Sequence, residues 1–117
     1  MKMKTCELAG AALDYAVSCC NPELVTRLGG DPHPYIRDDN GGYVRFEPST
    51  NWAHGGPIIE RERITTHAGK QNWLAWITQE DGDHYLQFGK TALIAAMRCY
   101  VASTLGETVE IPEELAK

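Results

Sequence analysis

The run LIAAMRCYVASTLG, residues 93–106, constrains the fold more than any other part of the chain. Leu93, Ala96, Met97, Tyr100, Val101 and Leu105 recur at the 3.6-residue period, and Gly106 supplies a C-terminal stop, so a helix is predicted from about 91 to 105. Ile94, Ala95, Cys99 and Ala102 make much of the other side apolar too, so this helix is expected to be largely buried. Arg98 is the one charge in it. A guanidinium there needs a carboxylate, backbone acceptors or an exit to solvent along its stem. The expected solution is an ion pair between Arg98 and Glu60, which would anchor the central segment on the helix.

A first helix is predicted over residues 5–20, with Thr5 as its cap, Glu7 in its first turn and Asn21-Pro22 as its stop. Leu8, Ala12, Tyr15, Ala16 and Cys19 fall on one face, and Glu7, Ala11, Asp14 and Ser18 on the other. Residues 21–57 are loop-rich: Gly29-Gly30, Pro32, Pro34 and Asp38-Asp39-Asn40-Gly41-Gly42 punctuate them, and only Tyr43 to Phe46 reads as a strand. Pro57 can open a short helix. Trp73 to Phe88 reads as a β-hairpin turning at Asp81-Gly82, with Trp73 and Trp76 on opposite faces. Val109 to Ile111 can add a short strand. Two main helices packed on a small antiparallel sheet that contains the 73–88 hairpin define an α+β fold, a single small domain over 1–117.

Composition narrows the function classes. A net charge of −5 over 117 residues lacks the basic stripe of a nucleic-acid surface, so nucleic acid is not an expected partner. No segment has the length and apolarity of a membrane span. The basic start Met1-Lys2-Met3-Lys4 resembles an export signal, but Glu7 and Asp14 interrupt the apolar stretch such a signal needs, and a cytoplasmic protein is expected. Cys6, Cys19, Cys20 and Cys99 show no C-x-x-C spacing and are expected to be reduced. His33, His54, His67 and His84 are far apart and form no helical metal pair, so neither metal nor other cofactor is expected.

The stretch STNWAHGGPIIE, residues 49–60, is the main candidate site. Gly55 and Gly56 can let the backbone turn tightly and approach a ligand, and a helix opening at Pro57 can present free amides to an anion. Trp52 can stack, His54 can move a proton near neutrality, and Glu60 and Arg61 add charge. The alternative is a connector whose Trp and Ile fill the core and whose glycines serve geometry. Trp76, if it faces outward on the hairpin, is a further binding anchor. No G-x-S-x-G, P-loop or H-E-x-x-H motif is present, which makes catalysis the less expected reading.

The segments MKMKTCELAGAALDYAV, STNWAHGGPIIERERI, LIAAMRCYVASTLG and VEIPEEL together resemble the NinX-like proteins of lambdoid phages, over essentially the whole chain. The resemblance implies a small accessory protein made in the cytoplasm of an infected bacterium, and it carries over no catalytic residue. Two functions are expected in order: a noncatalytic module binding a host or phage protein, with homo-oligomers also open, or a small-molecule or nucleotide-binding enzyme built on His54, Gly55, Gly56 and Glu60. A pocket uniting His54, Glu60 and Arg61 would favour the enzyme; an apolar patch at Trp52 or Trp76 would favour the module.

Overall fold

The computed structural model describes residues 1–23, 25–78, 82 and 84–116. Along the chain run β1 (Lys2–Lys4), a 3-10 turn (Thr5–Glu7), α1 (Gly10–Cys20), β2 (Tyr35–Arg37) and β3 (Tyr43–Arg45). Next come α2 (Trp52–Glu62), β4 (Thr65–Ala68), β5 (Trp73–Thr78), β6 (His84–Gly89), α3 (Ala92–Leu105), β7 (Thr108–Glu110) and a last 3-10 turn (Glu113–Leu115). The fold is α+β, with three helices and small antiparallel sheets among the described residues. Among the described residues no helix is long and apolar enough to cross a membrane.

Helix α3 has the buried character its sequence predicts. The Thr91 hydroxyl accepts the Ile94 N–H at 3.1 Å and caps the start. Gly106, at φ 98°, ends it in a conformation that side chains disfavour. Ala95, Ala96, Met97, Cys99 and Val101 have 0% exposure, and each of the larger side chains stabilises the fold by roughly 1.5–3 kcal/mol through burial. The three-stranded sheet β4–β5–β6, α1 and α2 all pack on this helix. A β-carbon at Gly89 would lie 2.6 Å from the Ala95 main-chain nitrogen, so the end of β6 meets α3 backbone to backbone.

The sheet has the predicted hairpin and adds β4. Of the predicted turn, Asp81 lies outside the described residues, whereas Gly82 has φ 92°. Register pairs Leu74 with Phe88, Trp76 with Leu86 and Ile77 with Tyr85, while Thr65 lies opposite Trp76 and His67 opposite Leu74. Alternation therefore puts Trp73, Ala75, Ile77 and Tyr85 on one face and Leu74, Trp76, Leu86 and Phe88 on the other. The first set packs into the core with α3.

The N-terminal region departs from expectation. Thr5 does not cap a helix: its hydroxyl donates to Gly106 O at 2.7 Å and its N–H to Glu107 O at 2.8 Å. With both groups committed to the chain beyond α3, residues 5–7 form only a 3-10 turn, and α1 begins at Gly10 behind Ala9, which supplies no capping side chain. β1 pairs antiparallel with β7 beside this junction. Helix α1 is also buried more widely than predicted. Leu13 and Val17 are inside, and so are Asp14 and Ser18 from the face read as polar.

The loop-rich segment contains an unpredicted strand, β2, paired antiparallel with β3. Between them Asp38 Oδ1 accepts the amides of Asn40 and Gly42 at 3.0 and 2.8 Å, which closes the turn that the Asp-Gly cluster announced.

Candidate functional site

The central stretch is helical from Trp52 onward. Asn51 caps α2, its Oδ1 accepting the Ala53 N–H at 2.9 Å, and its carbonyl accepts the amides of His54 and Gly55 at 3.0 and 2.9 Å. Gly55 and Gly56 are thus helix residues rather than a turn, and Pro57 lies inside α2. No helix begins at Pro57, so the anion-holding amides expected there are absent. The local sequence argues against this helix, since each glycine costs it roughly 1 kcal/mol relative to Ala. Packing overrides that cost at Gly55, where a β-carbon would lie 2.5 Å from Pro48 O and 2.6 Å from Leu93 Cδ2. At this position α2 meets Leu93 of α3 only because Gly55 has no side chain. Arg63, in the left-handed region at φ 55°, ends it.

Helical geometry then separates the polar candidates. His54 and Arg61 are two turns apart, roughly 10 Å along the axis, and Glu60 projects about 240° around from His54. His54 Nδ1 accepts the Glu47 amide at 2.9 Å, which makes its neutral form the Nε2–H tautomer. Its ring lies 5.7 Å from that of Phe46. Partial burial holds its pKa below the ordinary value, although Glu47 pulls the other way. Arg61 is engaged elsewhere: Nε donates to Glu62 at 2.8 Å, and Nη2 donates to Asn21 Oδ1 and the Tyr100 hydroxyl, both at 3.1 Å. It ties α2 to the end of α1 and to α3. Glu60 is exposed, and its carboxylate bonds to none of the described residues. Trp52, at 57% exposure, stands out from the first turn.

Arg98 is not paired with Glu60. Its Nε donates to Leu8 O and its Nη1 to Phe88 O, each at 2.7 Å. The planar guanidinium suits this task, because one fork satisfies two carbonyls from separate segments, ahead of α1 and at the end of β6. Burial lowers its pKa from the ordinary value.

Sequence reasoning missed a second polar cluster. Asp14 is 6% exposed, with Oδ1 accepting the Ser49 N–H at 2.8 Å. Burial raises its pKa to about 6, against the opposing pull of Ser49. It borders a cavity of about 100 Å³, with His33, Arg45, Glu47 and Thr50 around it. Beside this cavity Asp31 accepts the Tyr35 hydroxyl and the His33 amide, which hold its carboxyl well below the usual range. The available signal was Leu13 and Val17, neighbours of Asp14 in sequence and on the helix surface, which make a solvent-facing carboxylate there unlike its surroundings.

The outer face of β4–β5–β6 is the other feature of note. Leu86 and Phe88 are 48% and 49% exposed beside half-buried Leu74 and Trp76. Trp73 packs inward and Trp76 lies on this outer face.

Residues 4–104 match the family model described as NinX of bacteriophage P22. No curated protein matches the chain significantly. The match takes in α1, the β2–β3 hairpin, α2, the three-stranded sheet and nearly all of α3. The chain belongs to the phage P22 NinX family.

Proposed function

We propose that this protein is a noncatalytic accessory phage protein that binds a host or phage protein in the cytoplasm of the infected bacterium. The outer sheet face carries the reading. Among the described residues of the three strands it presents Thr65, His67, Leu74, Trp76, Thr78, His84, Leu86 and Phe88, with no Asp, Glu, Lys or Arg. Single exposed apolar residues are ordinary, but four adjoining ones on a charge-free face have the composition of an interface core. Trp52 offers a separate aromatic anchor at the start of α2. His54, Gly55 and Arg61 have structural partners, and Glu60 is remote from His54, so the geometry that would favour an enzyme on these residues is not assembled.

Affinity capture from infected cells tests this, with wild type, Trp52→Ala and the Leu86→Ser/Phe88→Ser pair as baits and a photo-crosslinking residue at position 88. The expected result is one partner that crosslinks at 88 and is lost from the sheet-face variant. If all folded baits recover the same proteins, the reading fails. Should the face bind a second copy instead, sedimentation will show a concentration-dependent dimer that the double variant abolishes.

A further inference from the structure

We propose that β6 takes up an extended segment of the protein partner as a fourth strand of the β4–β5–β6 sheet, with apolar side chains at every second position of that segment. The inference rests on the protein-binding reading and names the form in which the partner arrives.

The strand order leaves β6 at an edge, and the ladder shows which of its backbone groups are open. Gly69 N–H bonds to Asn72 O at 2.7 Å, which makes these two a hydrogen-bonded pair at the end of the β4–β5 ladder. Bonded and non-bonded pairs alternate in an antiparallel ladder. Leu74 and Trp76 therefore give their backbone groups to β4, opposite His67 and Thr65. Ala75 and Ile77 give theirs to Gln87 and Tyr85 of β6. Leu86 and Phe88 must then direct N–H and C=O away from the sheet. The Phe88 carbonyl, which accepts Arg98 Nη1, fits that assignment. No backbone bond from any other described segment reaches Leu86 or the Phe88 N–H.

This edge carries none of the usual protection. Edge strands are commonly blunted by charge, proline or a bulge. β6 reads HYLQFG, and its six pairs with β5 run without interruption. The apolar face also leans toward it. β4 contributes Thr65 and His67 to the outer face, β5 contributes half-buried Leu74 and Trp76, and β6 contributes Leu86 and Phe88, about half exposed. A fourth strand would cover the side chains that the present sheet covers least.

A trough lies along the same edge. His84, Tyr85, Leu86 and Gln87 line a cavity of about 490 Å³ together with the end of α3 and Glu107. A cavity over one face of a strand would touch only alternate residues, so four in succession place it against the backbone edge. It continues past Gln87 and Glu107 toward Lys4, Cys6 and Thr108. A second copy of the chain would have to bring this wall up to the edge along with its own β6. A single extended segment brings no wall, and strand addition to an open edge is an established way of binding one.

The test is selection from a displayed library of random peptides of about ten residues on the intact protein, followed by NMR with the synthetic winner. Enriched peptides should alternate apolar and polar residues, slow amide exchange at Leu86 and Phe88, and show cross-strand contacts with β6. N-methylation at alternate peptide residues should weaken binding about tenfold or more, with little effect at the residues between. Leu86→Pro removes an edge amide that the β5 ladder does not use and should abolish binding, whereas Leu86→Val should retain it. If the proline variant does not fold, the N-methyl scan on wild type decides. Equal losses at every methylated position would place the peptide across the face, which overturns strand addition and leaves the protein-binding reading intact. Enrichment of no peptide overturns strand addition too, and the crosslink at position 88 then judges that reading separately. Concentration-dependent protection of Leu86 and Phe88 without peptide would assign the edge to a second copy and overturn the proposal.

Discussion

Gly55 of α2 stands directly against Leu93 of α3: a β-carbon at Gly55 would lie 2.6 Å from Leu93 Cδ2, and 2.5 Å from the Pro48 carbonyl oxygen on the other side. Gly55→Ala should therefore destabilise the protein by about 1–3 kcal/mol, despite the better helix propensity of alanine. At Gly56 the nearest atom would be Trp52 Cε3 at 3.8 Å, so Gly56→Ala should stabilise by up to about 1 kcal/mol. Urea unfolding of the two variants reads the signs directly. Stabilisation by both would mean that α2 does not need the close approach.

Arg98 supports the fold through carbonyls rather than through an ion pair. Arg98→Met should cost about 1–3 kcal/mol, because Leu8 O and Phe88 O lose their donors. Glu60→Gln should change stability by less than about 0.5 kcal/mol, as expected for an exposed side chain. Equal losses in the two variants, and none further in the double mutant, would restore the Arg98–Glu60 pair.

Asp14 makes stability depend on pH in an unusual direction for a carboxylate. Its pKa rises from 3.8 to about 6 on folding, so between those values the folded state binds more protons than the unfolded one. Stability from this group is complete below 3.8 and is lost as pH rises through about 6. The full loss is about 3 kcal/mol, from 1.36 kcal/mol per pKa unit. Asp14→Asn should match wild type most closely near pH 4 and exceed it increasingly up to about pH 7. Thermal unfolding across that range checks the slope; a gap that is constant with pH would place the Asp14 pKa near its ordinary value.

The two faces of the sheet should respond differently to truncation. Ile77, 8% exposed in the core, should cost about 2–4 kcal/mol on mutation to Ala. Leu86→Ser with Phe88→Ser, both on the outer face, should together cost less than about 1 kcal/mol, since half of each side chain is already in water. Denaturant midpoints compare them. A large loss in the outer pair would make that face part of the monomer's own core.

Helix α3 and the β5–β6 hairpin were legible because each carries a strong period over enough residues, bounded by Gly106 in one case and a turn in the other. Helix α2 was not. Gly55, Gly56 and Pro57 each oppose a helix locally, and only the fit against Pro48 and Leu93 explains the first of them. β2 is three residues long, too short for alternation to show, and exists through its pairing with β3. Among the candidate site residues, the structure puts Trp52 on the surface and Trp76 rather than Trp73 on the outer sheet face, two points the sequence reading left open. The partners of Arg98 and Arg61 could not be found there, because Leu8, Phe88, Asn21 and Tyr100 lie far away along the chain.

The sequence by itself determined which segments must leave water and where the chain's main helix and hairpin begin and end. Those are local matters, decided by side-chain period and by glycine, threonine and asparagine at the ends of elements. Tertiary structure alone decided which polar groups meet. It turned a presumed loop into α2, gave Arg98 two carbonyls in place of Glu60, and set the Ser49 amide against Asp14. A buried charge takes whichever partner the packing brings within about 3 Å, and no pattern of neighbouring residues encodes that distance.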